Sequence, residues 1–187
     1  MELKKYLDKY NIIGVLSDYK VSLRSDKKVS EILKSKNNCQ LLKFLNLEEN
    51  LLEKDIKDLS LSELIKIDLL SKVNNEVIIT GGFTNNLVYK DRELVSKFLL
   101  KLSNNFNKKI IIIDGNIESL MNVCKYFIII KNNKILYKTT NVYDENLYKY
   151  INKPEIINFV LQAKENGIQL DNYTDIHELL KAIYRSI

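Results

Sequence analysis

The chain has 187 residues, 45% of them apolar and 28% charged, with 29 Lys and Arg against 24 Asp and Glu, one His and two Cys. That length suits one domain or a domain with a small appendage, and the longest apolar runs, residues 110–113 and 126–130, fall far short of the roughly 20 residues that cross a bilayer. Met1-Glu2-Leu3-Lys4-Lys5 is no secretory leader, so the expectation is a soluble, cytoplasmic protein with no transmembrane segment.

In chain order, Leu3, Tyr6, Leu7 and Tyr10 form one stripe of a first helix. Residues 11–16 predict a short buried strand that ends at Ser17-Asp18-Tyr19-Lys20. From about 27 to 71 the apolar spacing is helical, through Val29, Ile32 and Leu33, then Leu41, Leu42 and Leu45, and finally Leu61, Leu64, Ile65, Leu69 and Leu70. Ser60 or Ser62 offers an N-cap for the last of these helices, with Glu63 in the capping-box position relative to Ser60. Residues 76–80 predict a continuous apolar strand buried on both faces and stopping at Gly81-Gly82. A helix over 91–102, a strand over 110–113, a short helix over 118–125 and a strand over 127–130 follow. The last strand is joined by the Asn132-Asn133 turn to a hairpin partner at 134–138. Alternating strands and helices build a parallel sheet through right-handed crossovers. Beyond Asn141 the pattern becomes helical: 144–151, a helix opened by Pro154 and terminated by Gly167, and a last helix over 175–187. The expected division is an α/β body over 1–144, with a helical subdomain at about 27–71, and a helical appendage over 145–187.

Several chemistries lack the residues they need. Cys39 and Cys124 lie far apart in unlike contexts and are expected to be buried thiols, and with a single His no metal site is expected. The net charge of +5 comes from 26 Lys and three Arg interleaved with acids. Phosphate recognition favours Arg forks and stacking aromatics, so no nucleic acid partner is expected. None of Gly14, Gly81, Gly82, Gly115 or Gly167 is followed by Lys-Ser/Thr, and no G-x-G-x-x-G exists, so both common devices for holding a nucleotide's phosphates are missing.

The succession Leu41-Leu42-Lys43-Phe44-Leu45-Asn46-Leu47, Leu59-Ser60-Leu61-Ser62-Glu63, Val77-Ile78-Ile79-Thr80-Gly81-Gly82, Ile110 to Asn116 and the strand pair around Phe127 and Ile135 resembles the second half of an ABC-transporter ATPase. The tail that begins Pro154-Glu155-Ile156-Ile157 resembles the C-terminal extension of energy-coupling factor ATPases, the motor subunits of vitamin and metal importers. The resemblance covers residue 11 to the end by order and spacing. It implies a mainly parallel sheet of the P-loop NTPase type without its P-loop part, in a chain truncated at its N-terminal side.

Residue by residue, the family's chemistry does not carry over. Its Leu-Ser-Gly-Gly-Gln signature stands here as Leu59, Ser60, Leu61, Ser62 and Glu63. Its Asp-Glu strand end stands as Gly81 and Gly82, its switch histidine as Gly115, and the Gln after its first matched strand as Asp18. A general base contributes on the order of 100- to 10,000-fold, and phosphoryl transfer depends on loop, Lys and Mg²⁺ together. With all of them lost, no catalytic residue, cofactor or metal is expected. Asp18 and Asp114 are the carboxylates nearest to serving as replacements, at strand ends where such groups are common caps. The resemblance therefore implies a pseudo-ATPase that works by protein binding. Its expected partner is an ABC ATPase subunit, the membrane subunit of a transporter, or a second copy of itself, placing it at the inner face of the membrane. The alternative is a working ATP-binding component, using ATP and Mg, whose P-loop half comes from another chain. That alternative requires an open sheet edge beside the first strand, where the missing central strands would dock. Otherwise the first helix is the piece expected to cover what was lost.

Overall fold

Short runs of Ile, Val and Phe bounded by polar residues are too brief for buried helices, and each becomes a strand. The computed structural model describes residues 3–21, 23, 26–33 and 38–186. Its strands are β1 (Ile12–Leu16), β2 (Val77–Gly81), β3 (Lys109–Asp114), β4 (Phe127–Lys131) and β5 (Lys134–Thr139). They form a five-stranded sheet in the order β2-β3-β1-β4-β5. The pairs β2–β3, β3–β1 and β1–β4 are parallel, and β4–β5 is an antiparallel hairpin. Asn132 and Asn133, both at positive φ, supply its tight turn. The architecture is α/β with a mostly parallel sheet, of the kind expected.

The helices are α1 (Lys4–Leu7), α2 (Val29–Ile32), α3 (Asn38–Phe44), α4 (Leu61–Ser71), α5 (Phe83–Asn86), α6 (Tyr89–Phe106), α7 (Glu118–Met121), α8 (Glu155–Glu165) and α9 (Ile176–Ser186). Single 3-10 turns over Glu49–Glu53, Ile56–Asp58 and Glu145–Lys149 link them. Pro154 caps α8, and Gly167 follows its end at positive φ, as its position predicts. Cys124 is buried, and burial pushes its thiol well above the ordinary range. The side chain of Cys39 lies outside the described residues.

Alternation along the strands splits the core between the two sheet faces. Ile12, Leu16, Ile78, Ile110, Ile112, Phe127 and Ile129 share a large core with the helical insertion, with α6 and with Leu147 and Ile157 of the C-terminal segment. Ile13, Val15, Ile111 and Ile128 face the other way, where Leu3 and Leu7 of α1 cover them. The short N-terminal helix covers the middle of the second face, where its apolar stripe meets β1, β3 and β4.

The strand order fails one condition, set by the alternative reading, and corrects one expectation. The first strand does not border an open edge: β1 lies in the centre of the sheet, flanked on both sides by β3 and β4. No space remains beside it for strands supplied by another chain. Nor is β2 buried on both faces. It is the edge strand, and Ile79 is 45% exposed because α1 covers only the middle of that face. The open edge is guarded: Lys72 Nζ donates to the Ile79 carbonyl at 3.1 Å, a charge set against further strand pairing.

Candidate functional site

In parallel α/β sheets, ligands bind beyond the carboxyl ends of the strands, where the chain direction across the sheet reverses. Here that place is the convergence of the ends of β1, β3 and β2, which carry Asp18, Asp114 with Gly115, and Gly81-Gly82. Of the degenerate positions, Gly81 and Gly82 meet Asp114 at this rim, whereas Asp18 and Gly115 are exposed beside it and Leu59–Glu63 lies elsewhere.

The turn after β2 is built on glycine for two separate reasons. A Cβ at Gly81 would lie 1.7 Å from the Ile113 carbonyl oxygen, so no side chain fits. Gly82 holds φ +71°, in the left-handed region, and caps α5. The N–H groups that this turn exposes would suit an anion, but the protein fills the position itself. Asp114, 1% exposed at the end of β3, accepts from Phe83 N at 2.7 Å and Thr84 N at 3.1 Å through Oδ2, and from Asn116 N at 3.1 Å through Oδ1. This carboxylate is a fastener for backbone amides, and its lone pairs are spent on them.

The loop leaving β1 closes the rim from the other side. Its Tyr19 ring lies against Gly82, where an added Cβ would meet Tyr19 Cδ1 at 3.1 Å. The phenol donates to Asp68 Oδ2 at 2.9 Å, and Lys72 Nζ reaches the same oxygen at 2.6 Å and Tyr19 Oη at 3.2 Å. Burial, reinforced by the Asp68 charge, pushes the Tyr19 hydroxyl far above its ordinary range, so it remains a donor. Sequence reasoning missed this cluster. Its signal was an acid and a base at i, i+4, Asp68 and Lys72, flanking the apolar pair Leu69-Leu70 at the end of α4. Asp18 itself is exposed and takes no part. Gly115 is also exposed and opens onto a cleft of about 430 Å³ bounded by Asn116, Glu118, Tyr150 and Lys153. Buried Thr80 and Thr84 hydroxyls lack partners among the described residues, with no base placed to activate either.

The Leu59–Glu63 segment does not join this rim. Ser60 caps α4 in a reciprocal box: Glu63 N donates to Ser60 Oγ at 3.3 Å, and Ser60 N donates to Glu63 Oε2 at 2.8 Å. Ser62 Oγ donates to Asp91 Oδ2 at 3.3 Å, and Asp91 also pairs at 2.9 Å with Lys66, which is buried on α4. Leu61 is exposed. The segment is thus a helix start pinned to α6, with none of the glycine freedom that lets backbone approach a phosphate. His177, on α9, is exposed and meets Tyr89 Oη at 3.3 Å through Nε2. Among the described residues no group of three or more His, Cys, Asp or Glu could hold a metal ion.

A second feature is an apolar groove of about 360 Å³ between α3, the end of α4 and the end of α6. It is lined by Leu41, Phe44, Val73, Phe98, Leu102 and Phe106, with Lys101 and Lys108 at its margin. Phe106 is 62% exposed. The C-terminal helix carries an outward stripe of Ile176, Leu180 and Tyr184 at helical spacing.

No family model matches the sequence, and no curated protein matches it significantly. Solved structures do match. The ATP-binding cassette MJ0796, in a dimeric post-hydrolysis state bound to ADP and Pi, superposes with a TM-score of 0.55 at 17% identity, covering 68% of this chain and 62% of the cassette. An inward-facing ABC transporter described as of the metal-chelate type gives 0.54 at 18%, covering 74% and 63%. The archaeal ribosome recycling factor aABCE1, solved with the stalk protein aP1, gives 0.56 at 16%, covering 82% and 34%. The chain therefore has the fold of ABC ATPase cassettes, and spans less than two thirds of the length of these proteins. No helix among the described residues is long and apolar enough to cross a membrane.

Proposed function

We propose that this chain is a catalytically inactive relative of ABC-transporter ATPases, of the energy-coupling factor type, and that it acts by binding a transport component. The observation that carries the reading is the occupied rim. The Phe83 and Thr84 amides that follow the Gly81-Gly82 turn donate to the chain's own Asp114, and Tyr19 covers Gly82. A nucleotide site must present such donors to phosphate oxygens, and here they are spent internally. The alternative, in which another chain supplies the P-loop half, is not favoured: the sheet centre that such a half would occupy holds β1.

The proposed binding surface is the groove of Phe44, Phe98, Leu102 and Phe106, an apolar slot with lysines at its margin that suits the apolar face of an amphipathic helix. In the resembled family the helical subdomain forms the seat for a membrane subunit's cytoplasmic helix, and here α3 and α4 belong to the corresponding insertion. The exposed stripe of α9 supports a second contact, pairing with another ATPase subunit or with a second copy. On this reading the chain sits in the cytoplasm, held at the membrane by its partner.

The test is affinity capture of the tagged full chain from its own cells, beside Phe106→Asp, which alters an exposed position. Recovery of an ABC ATPase or importer membrane subunit with the unaltered chain, lost in Phe106→Asp, supports the reading. Equal recovery by both, or recovery of no transport component, contradicts it.

A further inference from the structure

We propose that the cleft between α6, α7 and the start of α9 binds a free α-amino acid as its zwitterion, with the carboxylate on Arg92 and the ammonium on Glu118. Residues at i, i+3, i+7 and i+11 share one face of a helix, and on α6 that stripe is Tyr89, Arg92, Ser96 and Leu100. It forms one wall of a cleft of about 320 Å³. Glu118 and Asn122, at the two ends of α7, and Asp175 and His177, at the start of α9, line the rest. That volume lies at the small end of ligand pockets. The walls are tied to one another. Tyr89 Oη meets His177 Nε2 at 3.3 Å, joining α6 to α9, and Asn122 Nδ2 donates to Asp175 Oδ2 at 3.4 Å, joining α7 to α9.

Arg92 is the residue that packing alone does not account for. The chain has 26 Lys and only three Arg, and this Arg is half-buried, with its Nε shut off from water and without an acceptor among the described residues. A donor so placed is costly to leave unpaired. Three carboxylates line the same cleft, yet among the described residues none lies within ion-pair distance of the guanidinium. Glu93 is held by Lys97 at 2.6 Å. Asp175 spends Oδ1 on the amides of His177 and Glu178, at 2.8 and 3.2 Å, as the cap of α9. The Glu118 carboxylate is exposed and has neither a hydrogen bond nor an ion pair among the described residues.

One cleft thus presents a guanidinium and a carboxylate that are both unpaired and do not reach each other. A ligand with one charge of each sign satisfies both. The Arg fork matches a carboxylate, and Leu100 offers the ligand's side chain an apolar contact. A dianion such as phosphate fits less well, because Glu93, Glu118 and Asp175 would repel it, and a metal cation would be repelled by Arg92. The cleft shares no lining residue with the Phe106 groove, and the proposal stands without the partner reading above.

The experiment is a thermal-shift screen of the purified full chain against the proteinogenic L-amino acids, each at millimolar concentration, followed by titration calorimetry of those that raise Tm. At least one should bind saturably, and its α-amide and its N-acetyl form, which each lack one of the two charges, should bind at least about tenfold more weakly. Arg92→Met should lower the affinity roughly 10- to 100-fold, the worth of a hydrogen bond to a charged group, and Glu118→Gln, at an exposed position, roughly tenfold. If Arg92→Met fails to fold, the two blocked ligands and Glu118→Gln decide the matter. No rise in Tm with any amino acid, equal binding of the blocked forms, unchanged affinity in either variant, or a larger rise with sodium phosphate than with any amino acid overturns the proposal.

Discussion

Replacing Asp114 by Ala tests whether the rim is locked by the chain's own carboxylate. The side chain is buried and accepts three backbone N–H groups, so its removal leaves those donors without partners. Phe83 is itself buried, so water reaches its amide poorly, and a hydrogen bond to a charged acceptor is worth about 1.5–3 kcal/mol. The Thr84 and Asn116 residues are partly exposed, so solvent can replace part of their bonds, and each adds a further ~1 kcal/mol or less. The expected loss is about 4 kcal/mol, which for a chain of this size is a fall in Tm of roughly 10 °C. Asp114→Asn keeps the shape but turns an NH₂ group toward at least one of the donors, and should cost about half as much. Thermal unfolding followed by circular dichroism measures both. An unchanged or raised Tm for Asp114→Ala would refute the argument, because the turn would then be satisfied without the carboxylate.

Other perturbations separate structural from idle positions. Gly81→Ala should abolish folding, since its Cβ would overlap the Ile113 carbonyl, whereas Gly115→Ala, with nothing within 4 Å, should shift stability by no more than about 0.5 kcal/mol; soluble yield and Tm distinguish them. Ser60→Ala should cost about 1 kcal/mol of stability in denaturant unfolding. Hydrogen bonding with Ser60 holds the Glu63 carboxyl below the usual carboxylate range. Its contribution is therefore present above the ordinary carboxylate pKa and lost as pH falls through the lowered one, and Ser60→Ala should flatten that acid limb. Asp91→Ala leaves the Lys66 ammonium buried beside an exposed-facing gap and should cost about 3 kcal/mol in urea unfolding.

The sequence was most legible where one local rule decided the outcome. The shortness and continuity of the apolar runs placed the strands, Ser60 and Glu63 marked the start of α4, and Pro154 and Gly167 bracketed α8. The stripe of Leu3 and Leu7 foretold the cover on the second face. What the pattern could not reveal was lateral order. A five-residue apolar strand reads alike at a sheet's centre and at its edge, so β2 was expected to be buried on both faces, and nothing in β1 showed whether an open edge lay beside it. The rim was half legible. Its lost glycines and carboxylates could be read position by position, but the use of Asp114 as an amide acceptor depends on β3 lying beside β2. The Tyr19–Asp68–Lys72 cluster joins residues about fifty apart, a contact that no local spacing encodes.

The central claim is that a cassette-like fold is present here without working nucleotide chemistry, and the most direct measurement is titration calorimetry of Mg-ATP into the purified chain, with phosphate release followed in the same samples. The account predicts no saturable heat and no phosphate above the buffer rate. Micromolar binding accompanied by turnover in the single polypeptide would contradict it.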